Sequence, residues 1–396
     1  MLDQDQIFSF SRAAMPLVLI CALLGLEPEV EATQPSSPSY EESLQAWKTQ
    51  IKKLQGIRDR LAVSQGDDQV DLRKEYLQAV ADAKPALRNF TAAAEVSLRE
   101  GDQHQKEAAS FLEERMGGLL DDDDFERAFR IGMLLLKRGY DNQTTMEAAG
   151  IAAVMTNHFD SAREYLKQAD QKEPLSSIGR EMLANIPDIE AAWKQEEKIR
   201  EAEAKADDLP RVRLQTTQGD VVVELFENES PETVANFIDL VENGFYEELD
   251  FHRVIPHRVA QGGCPNGDGT GGPGYSIRCE RLDGGYRRHF RGSLSMARTS
   301  ELNSAGSQFF FCMAPLSDLD GQYTVFGQII EGMDVLAKLQ RQDGKSELLP
   351  PADRILKAEV ERKRDHAYRA VPYTPADMPT DVPTAPTADA TKEDST

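Results

Sequence analysis

The spacing of hydrophobic positions changes along the chain and divides it into two large parts. Between Tyr40 and Asp208 the apolar residues recur at intervals of three and four, which is the period of an amphipathic helix. From Val212 onward they alternate with polar residues, which is the period of a strand. The pattern predicts a multidomain protein, with an all-α region at residues 40–208 and a β-rich domain at residues 209–366.

Three long helices are predicted in the first part, over residues 43–61, 70–98 and 189–207. Pro85 lies inside the second and predicts a kink or a break there. A run of four acids, residues 121–124, precedes Phe125. Acids favour the positive end of a helix dipole. The run lacks the alternating ligands and the glycine of a calcium loop, so it predicts a helix start and no calcium site.

A repeat of 34 residues is visible in the same part. The pair Phe125 and Ala128 recurs as Phe159 and Ala162, since 159 − 125 = 34. That is the period of the tetratricopeptide repeat, in which paired helices stack and leave a concave surface. The region is therefore expected to be TPR-like, with a groove for a protein partner. A helical spacer or a dimerisation element is the alternative.

The second part begins with a predicted hairpin. Its strands lie at residues 212–214 and 221–225, and Gly219 marks the turn between them. Ser230 and Pro231 then provide the N-cap and first position of a helix that runs to Asn243. Another helix is expected near residues 332–339, and a last strand at residues 355–360.

The stretch Phe251 to Gly263 is dense in β-branched residues and predicts a strand. It carries Arg253 and, eight positions on, Gln261. Even separations place side chains on one face of a strand, provided that Pro256 does not break it. An arginine and a glutamine on one face are candidates for lining a cleft.

The second part resembles the cyclophilin-type peptidyl-prolyl cis-trans isomerases between about residues 212 and 362. The resemblance rests on motifs in the family's order: SPETVANF (230–237), FHRVIP (251–256), QGG (261–263), GTGG (269–272), LSMA (294–297), GSQFF (306–310), LDG (319–321), VFG (325–327) and EGM (331–333). It implies a closed eight-stranded antiparallel β-barrel capped by two helices. It also implies an enzyme that accelerates rotation about X-Pro bonds and assists protein folding, with proline-containing polypeptides as its clients.

The same resemblance assigns the candidate site. Arg253 matches the catalytic arginine of the family, which favours the twisted prolyl amide. The residues that match peptide-binding positions, or flank Arg253, are Gln261, Gln308, Phe310, Leu319, Val259, Ala297, Arg298, Tyr323, Phe251 and His252. A packing role is the alternative for His252. Rotation about an amide breaks no bond to carbon, so neither a cofactor nor a metal is implied.

Three positions depart from the family pattern: Tyr323 stands where histidine is common, which is a mild change, and the other two bring charges. Arg258 stands where a large aromatic residue usually lines the proline pocket, and Asp318 stands where many members have tryptophan. A charge on a pocket floor is costly unless it reaches solvent. The alternative function is therefore a catalytically weak protein that binds proline peptides, or a scaffold.

Charge and cysteine content narrow the possible partners. The formal net charge of −23 over 396 residues argues against a nucleic-acid partner, which needs a basic face. The four cysteines, Cys21, Cys264, Cys279 and Cys312, have no CxxC spacing. They predict neither a zinc site nor a disulfide framework.

Both termini have a separate character. An apolar run at residues 13–26 is short for a membrane span and suits the hydrophobic part of a secretory signal. Residues 1–32 are interpreted as a signal peptide or membrane anchor, which predicts an exported, periplasmic or anchored protein; a cytoplasmic protein with an apolar helix is the alternative. Residues 33–39 are interpreted as a linker, and residues 367–396 as a disordered, acidic tail rich in Pro and Thr.

Overall fold

The computed structural model describes residues 38–281, 286–342 and 350–374. The first part consists of seven helices, each packed against the next. Their bounds are α1 Tyr40–Val63, α2 Asp67–Glu100, α3 Gln105–Asp121, α4 Phe125–Lys137, α5 Gln143–Met155, α6 Phe159–Lys172 and α7 Ser177–Ala206. Of the two outcomes predicted at Pro85, a kink or a break, the break is wrong, because α2 continues through Pro85.

Helix boundaries recur with the period found in the sequence. Helices α4 and α6 start 34 residues apart (159 − 125), and so do α5 and α7 (177 − 143). The caps recur as well: Asn142 accepts from the backbone N–H of Thr145 at 2.8 Å, and Ser176 accepts from that of Gly179 at 3.0 Å. The chain from Phe125 to Ala206 is therefore two successive helical hairpins.

The second part is one curled antiparallel sheet of nine strands. The strands are β1 Arg211–Thr216, β2 Gly219–Leu225, β3 Leu249–Asp250, β4 Arg253–Ile255, β5 Val259–Gly262, β6 Ser293–Met296, β7 Phe309–Cys312, β8 Val325–Glu331 and β9 Arg354–Arg362. Their order across the sheet is β3-β9-β1-β2-β8-β6-β7-β5-β4.

The predicted closed eight-stranded barrel is corrected to a half-barrel. Among the described residues no ladder joins the two edge strands, β3 and β4. The reason lies in the chain, where residues 251–252 break one extended run into two short strands. Strand β3 pairs with β9 and strand β4 pairs with β5, so each forms its hydrogen bonds with a different neighbour.

Two helices cover the apolar side of the sheet. Helix α8 (Pro231–Glu242) buries Val234, Phe237 and Ile238 in the sheet core, and the short α9 (Met333–Leu336) adds Val335 and Leu336. Ser230 was expected to cap α8, but its hydroxyl donates to the carbonyl of Val325. The carboxylate of Glu280 caps the helix instead, accepting from the backbone N–H groups of Glu232 and Thr233 at 3.0 and 2.7 Å.

The helical part packs directly against the sheet domain. Arg287, whose side chain is 2% exposed, forms salt bridges at 2.7 Å with Glu196 and Glu203 of α7. Its guanidinium lies 3.6 Å from the ring centroid of Phe226. Trp193 of α7 meets Phe290 edge to face, with 5.0 Å between ring centroids. Buried charges and apolar rings thus share this interface.

The start of the predicted disordered tail, residues 367–374, is ordered by contacts with the sheet domain. Tyr368 is 1% exposed and donates to Glu227 at 2.8 Å, and the backbone N–H of Tyr373 donates to Ser276. Residues 367–374 therefore pack on the sheet domain instead of starting a disordered tail. The predicted signal or anchor (1–32), most of the linker (33–37) and the tail from 375 onward lie outside the described residues. Within the described ranges, no helix has the length and apolar character to cross a membrane.

Candidate active site

A tight hairpin carries the residue predicted to be catalytic. Strand β4 ends at Ile255, the chain turns through residues 256–258, and β5 returns from Val259. His257 occupies the left-handed region of the turn, with φ of 56°. The stretch is therefore two strands and not the single strand expected. Arg253 and Gln261 still share a face, because they lie directly opposite each other in the ladder.

The sheet alternates cleanly around this hairpin. Ala260 and Phe311 are register partners whose side chains lie in the sheet core. Their neighbours project from the opposite face, since successive residues of a strand alternate. On that face Gln261 is paired with Phe310, and Val259 with Cys312. Arg253, Gln261 and Phe310 consequently form one row across three strands.

A small apolar cluster, separate from the main core, fills the surface beside this row. Its buried members are Val259, Phe310, Cys312 and Leu316, and Ala297, Leu319 and Tyr323 pack against them. The ring of Tyr323 stands nearly perpendicular to that of Phe310, with 5.8 Å between centroids. Five residues predicted separately from the sequence are thus brought together in one apolar surface cluster, the pocket cluster, whose apolar character suits contact with a proline ring.

Side-chain amides border the pocket. Gln261 donates to the side-chain oxygen of Gln308 at 3.0 Å. Gln308 in turn donates to the backbone carbonyls of Gly269 and Gly271, both at 2.8 Å. The pair therefore fixes the glycine-rich loop against the sheet and leaves amide groups at the pocket edge, where a peptide backbone could bind.

The guanidinium of Arg253 is uncommitted. Its side chain is exposed, and it makes no hydrogen bond or salt bridge within the described residues. A fixed positive charge beside an apolar pocket can stabilise charge that develops on a bound group. The described part of the chain has no group of three or more His, Cys, Asp or Glu residues that could hold a metal ion.

Comparison with known proteins identifies the family. The model of the family "cyclophilin type peptidyl-prolyl cis-trans isomerase" matches residues 211–360. An isomerase of this name from Helicobacter pylori (strain ATCC 700392 / 26695) is 45% identical over 150 residues, which are 37% of this chain and 91% of the relative. The chain belongs to the cyclophilin-type peptidyl-prolyl cis-trans isomerases.

Further relatives of this cyclophilin come from other organisms. Peptidyl-prolyl cis-trans isomerase B of Bacillus subtilis is 46% identical over 125 residues, 32% of this chain and 86% of the relative. A solved cyclophilin-type isomerase from Cryptosporidium parvum is 32% identical, covers 39% of this chain and 99% of its own, and has a TM-score of 0.36. The family match and the named relatives show that this chain is a prolyl isomerase.

Three residues predicted to bind substrate have other surroundings in this cyclophilin. Phe251 is fully buried in the main core and cannot contact a peptide on the outer face. His252 is half-buried, and burial lowers its pKa, which favours the neutral ring. Arg298 donates to the carbonyls of Gln322 and Thr299 at 2.8 Å, so its side chain stabilises the neighbouring loops.

Arg258 and Asp318, the two charged departures from the family pattern, form a salt bridge with each other. Arg258 donates to Asp318 at 2.6 Å, and their side chains are 43% and 57% exposed. Arg258 follows His257 in the turn, and Asp318 lies in a 3-10 helix, Ser317–Leu319, whose last residue packs on the pocket. The sequence pattern placed Arg258 on the pocket floor, but the structure does not. Its charge reaches solvent and is paired with Asp318.

The pocket has members that the motifs did not reveal. His289 stacks on Phe310 with 6.1 Å between centroids. Its Nδ1 is hydrogen-bonded to the accepting carboxylate of Asp320 and its Nε2 to the hydroxyl of Ser295, both at 3.1 Å. Cys312 is fully buried within the apolar cluster, and burial raises the pKa of its thiol. Strand alternation from Phe310 would have found Cys312, whereas no sequence signal indicated His289.

Proposed function

We propose that Arg253 is the residue that accelerates rotation about the X-Pro bond of a bound peptide. The observation that carries this proposal is the position of its free guanidinium, in one row with Gln261 and with Phe310 of the apolar pocket. The barrier to rotation is about 18–20 kcal/mol, because the amide C–N bond is partly double. In the twisted state the nitrogen regains its lone pair, which a nearby cation can stabilise.

The remaining residues have binding roles in this proposal. The pocket formed by Val259, Phe310, Leu319, Ala297 and Tyr323 holds the proline ring by apolar contact. Gln261 and Gln308 bind the peptide backbone on either side. Because the ring is held while the preceding carbonyl turns, the charge of Arg253 acts on the twisted state more than on either planar state.

Replacement of Arg253 by alanine tests the proposal. We expect kcat/KM for a short X-Pro peptide to fall by about 100-fold or more, which is the usual cost of removing one transition-state donor. Arg369→Ala, in which an exposed arginine bound to Asp239 is removed, is the matched control and should leave the rate unchanged. Cis/trans exchange measured by NMR gives the rates, and circular dichroism verifies the fold. Equal rates for Arg253→Ala and the wild type would falsify the assignment.

We also propose that the hairpins α4–α5 and α6–α7 are tetratricopeptide-like repeats that bind a protein partner. The 34-residue recurrence of helix starts supports this, and so does the exposure of large apolar side chains on them, Met133 of α4 and Ile178 of α7. The double variant Met133→Glu, Ile178→Glu should slow the isomerase-assisted refolding of a protein client while leaving short-peptide turnover intact. Unchanged client refolding would favour a spacer role.

Export remains a proposal that rests on the apolar run at residues 13–26 alone. Cell fractionation together with N-terminal sequencing of the mature protein tests it. A start near Thr33 in the exported fraction supports a cleaved signal, an intact N-terminus in the membrane fraction supports an anchor, and an intact N-terminus in the cytoplasm overturns export.

A further inference from the structure

Strand β4, which carries Arg253, is a short edge strand that needs outside support. It has three residues, and on one side it pairs with β5. On its other side only a single bridge is present in the described part of the chain, formed by the backbone of Val254 and Gln342 at 2.8 and 3.1 Å. A three-residue edge strand has few hydrogen bonds of its own to hold a catalytic side chain in place.

Asp123, a residue of the helical part, binds both flanks of this strand. One carboxylate oxygen accepts from the backbone N–H of His257 at 2.8 Å and lies 2.9 Å from its Nδ1. The other oxygen accepts from Arg341 at 2.7 Å. His257 lies in the turn that ends β4, and Arg341 precedes the residue that bridges Val254. A single carboxylate thus connects the turn and the outer support of the strand.

Asp123 is buried in an unusual backbone conformation that directs its carboxylate to these contacts. It is fully buried, and it adopts the left-handed backbone region with φ of 62°, a conformation that costs free energy for most residues. Its own carbonyl accepts from Arg291 at 3.0 Å. Helix α4 begins two residues later, and Asp124 precedes it, so the expected helix-dipole role does not account for the burial and orientation of Asp123.

We infer that Asp123 is a positioning residue for catalysis, which holds β4 so that the guanidinium of Arg253 faces the bound prolyl amide. The inference rests on the proposed function of Arg253. It makes the helical part a component of the isomerase site, although the described members of the pocket cluster all come from the sheet domain. Misplacement of a catalytic group by about 1 Å can cost up to about 100-fold in rate, so a loss at Asp123 should be visible in kcat.

The test compares two acid-to-amide changes at the same interface in the full chain. Asp123→Asn keeps a residue type that tolerates the left-handed region but removes the charge that binds both His257 and Arg341. Glu126→Gln is the control, because Glu126 binds Arg291 and contacts neither flank of β4. We expect Asp123→Asn to lower kcat about tenfold with KM within about twofold, and Glu126→Gln to change neither.

A double variant separates positioning from loss of folded protein. If Asp123 acts through Arg253, adding Asp123→Asn to Arg253→Ala should lower the residual rate by less than about twofold. An equal loss in both backgrounds would overturn the inference, and so would wild-type kcat in Asp123→Asn. Should Asp123→Asn not fold, Asp123→Gly relieves the backbone strain and serves in the same comparison. If Arg253→Ala itself retains full activity, the proposed function fails first, whatever Asp123 does.

Discussion

Arg258 and Asp318 join the turn of the β4–β5 hairpin to the 3-10 helix beside the apolar pocket cluster, through a hydrogen bond of 2.6 Å. Both occupy positions where the family resemblance leads one to expect aromatic rings. In this chain two opposite charges link these segments, and the apolar cluster beside them consists of other residues, among them Val259, Phe310 and Leu319. The link is polar and faces solvent.

This link should contribute little to stability. Exposed ion pairs are typically worth about 0.2–1 kcal/mol, and salt screens them. A double-mutant cycle with Arg258→Ala and Asp318→Ala should give a coupling in that range by urea denaturation, and it should shrink in 1 M salt. A coupling of several kcal/mol, or one insensitive to salt, would show that the pair is more buried and rigid than its exposure indicates.

Gln308 should matter mainly for peptide binding. Its side chain accepts from Gln261 and donates to two carbonyls of the glycine-rich loop, so Gln308→Ala releases three hydrogen bonds at the pocket edge. We expect KM to rise about tenfold, which corresponds to a net loss of one or two such bonds, with a smaller effect on kcat. Gln215→Ala on β1 is the control and should leave KM unchanged. A loss confined to kcat would contradict the binding role.

Arg287 should be essential for docking of the helical part. Arg287→Met removes the partner of two buried carboxylates, Glu196 and Glu203. Stranding buried charge typically costs about 3–5 kcal/mol. Arg288→Met, at the next and exposed position, should cost less than about 1 kcal/mol, because the salt bridge of Arg288 to Asp320 is long, at 3.7 Å, and open to solvent. Urea denaturation followed by tryptophan fluorescence in a Trp47→Phe background, where Trp193 beside Phe290 is the remaining tryptophan, reports on this interface. Similar midpoints for both variants would refute the prediction.

Glu95 makes the helical part less stable as the pH rises. Burial raises the pKa of Glu95 to about 9, although Arg99, Arg130 and Arg127 are nearby. In the unfolded chain the group titrates near 4.5, so between these values the folded state holds more protons. The free energy of unfolding therefore falls with rising pH across this window, by up to about 1.4 kcal/mol per pH unit.

The matched variant is Glu95→Gln, which should be more stable than the wild type at pH 8 and similar to it at pH 4.5. Glu100→Gln, an exposed change at the end of the same helix, should leave the pH profile as it is. Urea midpoints across the pH range decide the outcome. A wild-type profile that is flat from pH 5 to 8 would exclude a buried, protonated Glu95.

The sequence predicted the elements well where a local pattern determines them. The change in hydrophobic period located the two parts, and the hairpin β1–β2 and the helix α8 were predicted to within a few residues. The row of Arg253 and Gln261 was predicted for a partly wrong reason: the chain reverses at Pro256, and cross-strand pairing, not even spacing, puts the two side chains together. The even spacing of Arg253 and Gln261 in the sequence and their pairing between β4 and β5 both put the two side chains on one face of the sheet.

What the sequence did not reveal depends on contacts between distant residues. Glu280, and not Ser230, caps α8, because the fold brings a carboxylate to the helix from 48 residues away. Asp123 looked like one of four equivalent acids in a run, yet it alone of the four binds His257 and Arg341. The pairing of Arg258 with Asp318 could be guessed only once both departures were known to lie beside one pocket. The spacing of residues along the chain does not predict contacts of this kind between distant segments.

The interface around Arg287 also bears on how this chain can be divided. Leu209 begins the sheet domain by sequence, but a fragment cut there would turn the face that carries Arg287, Phe290 and Ala314 toward water. Two apolar surfaces that now cover each other would become sites for self-association. The sheet domain alone is therefore not a self-sufficient unit, and a soluble, active minimal isomerase from this protein should retain the helical part from Asp123 onward.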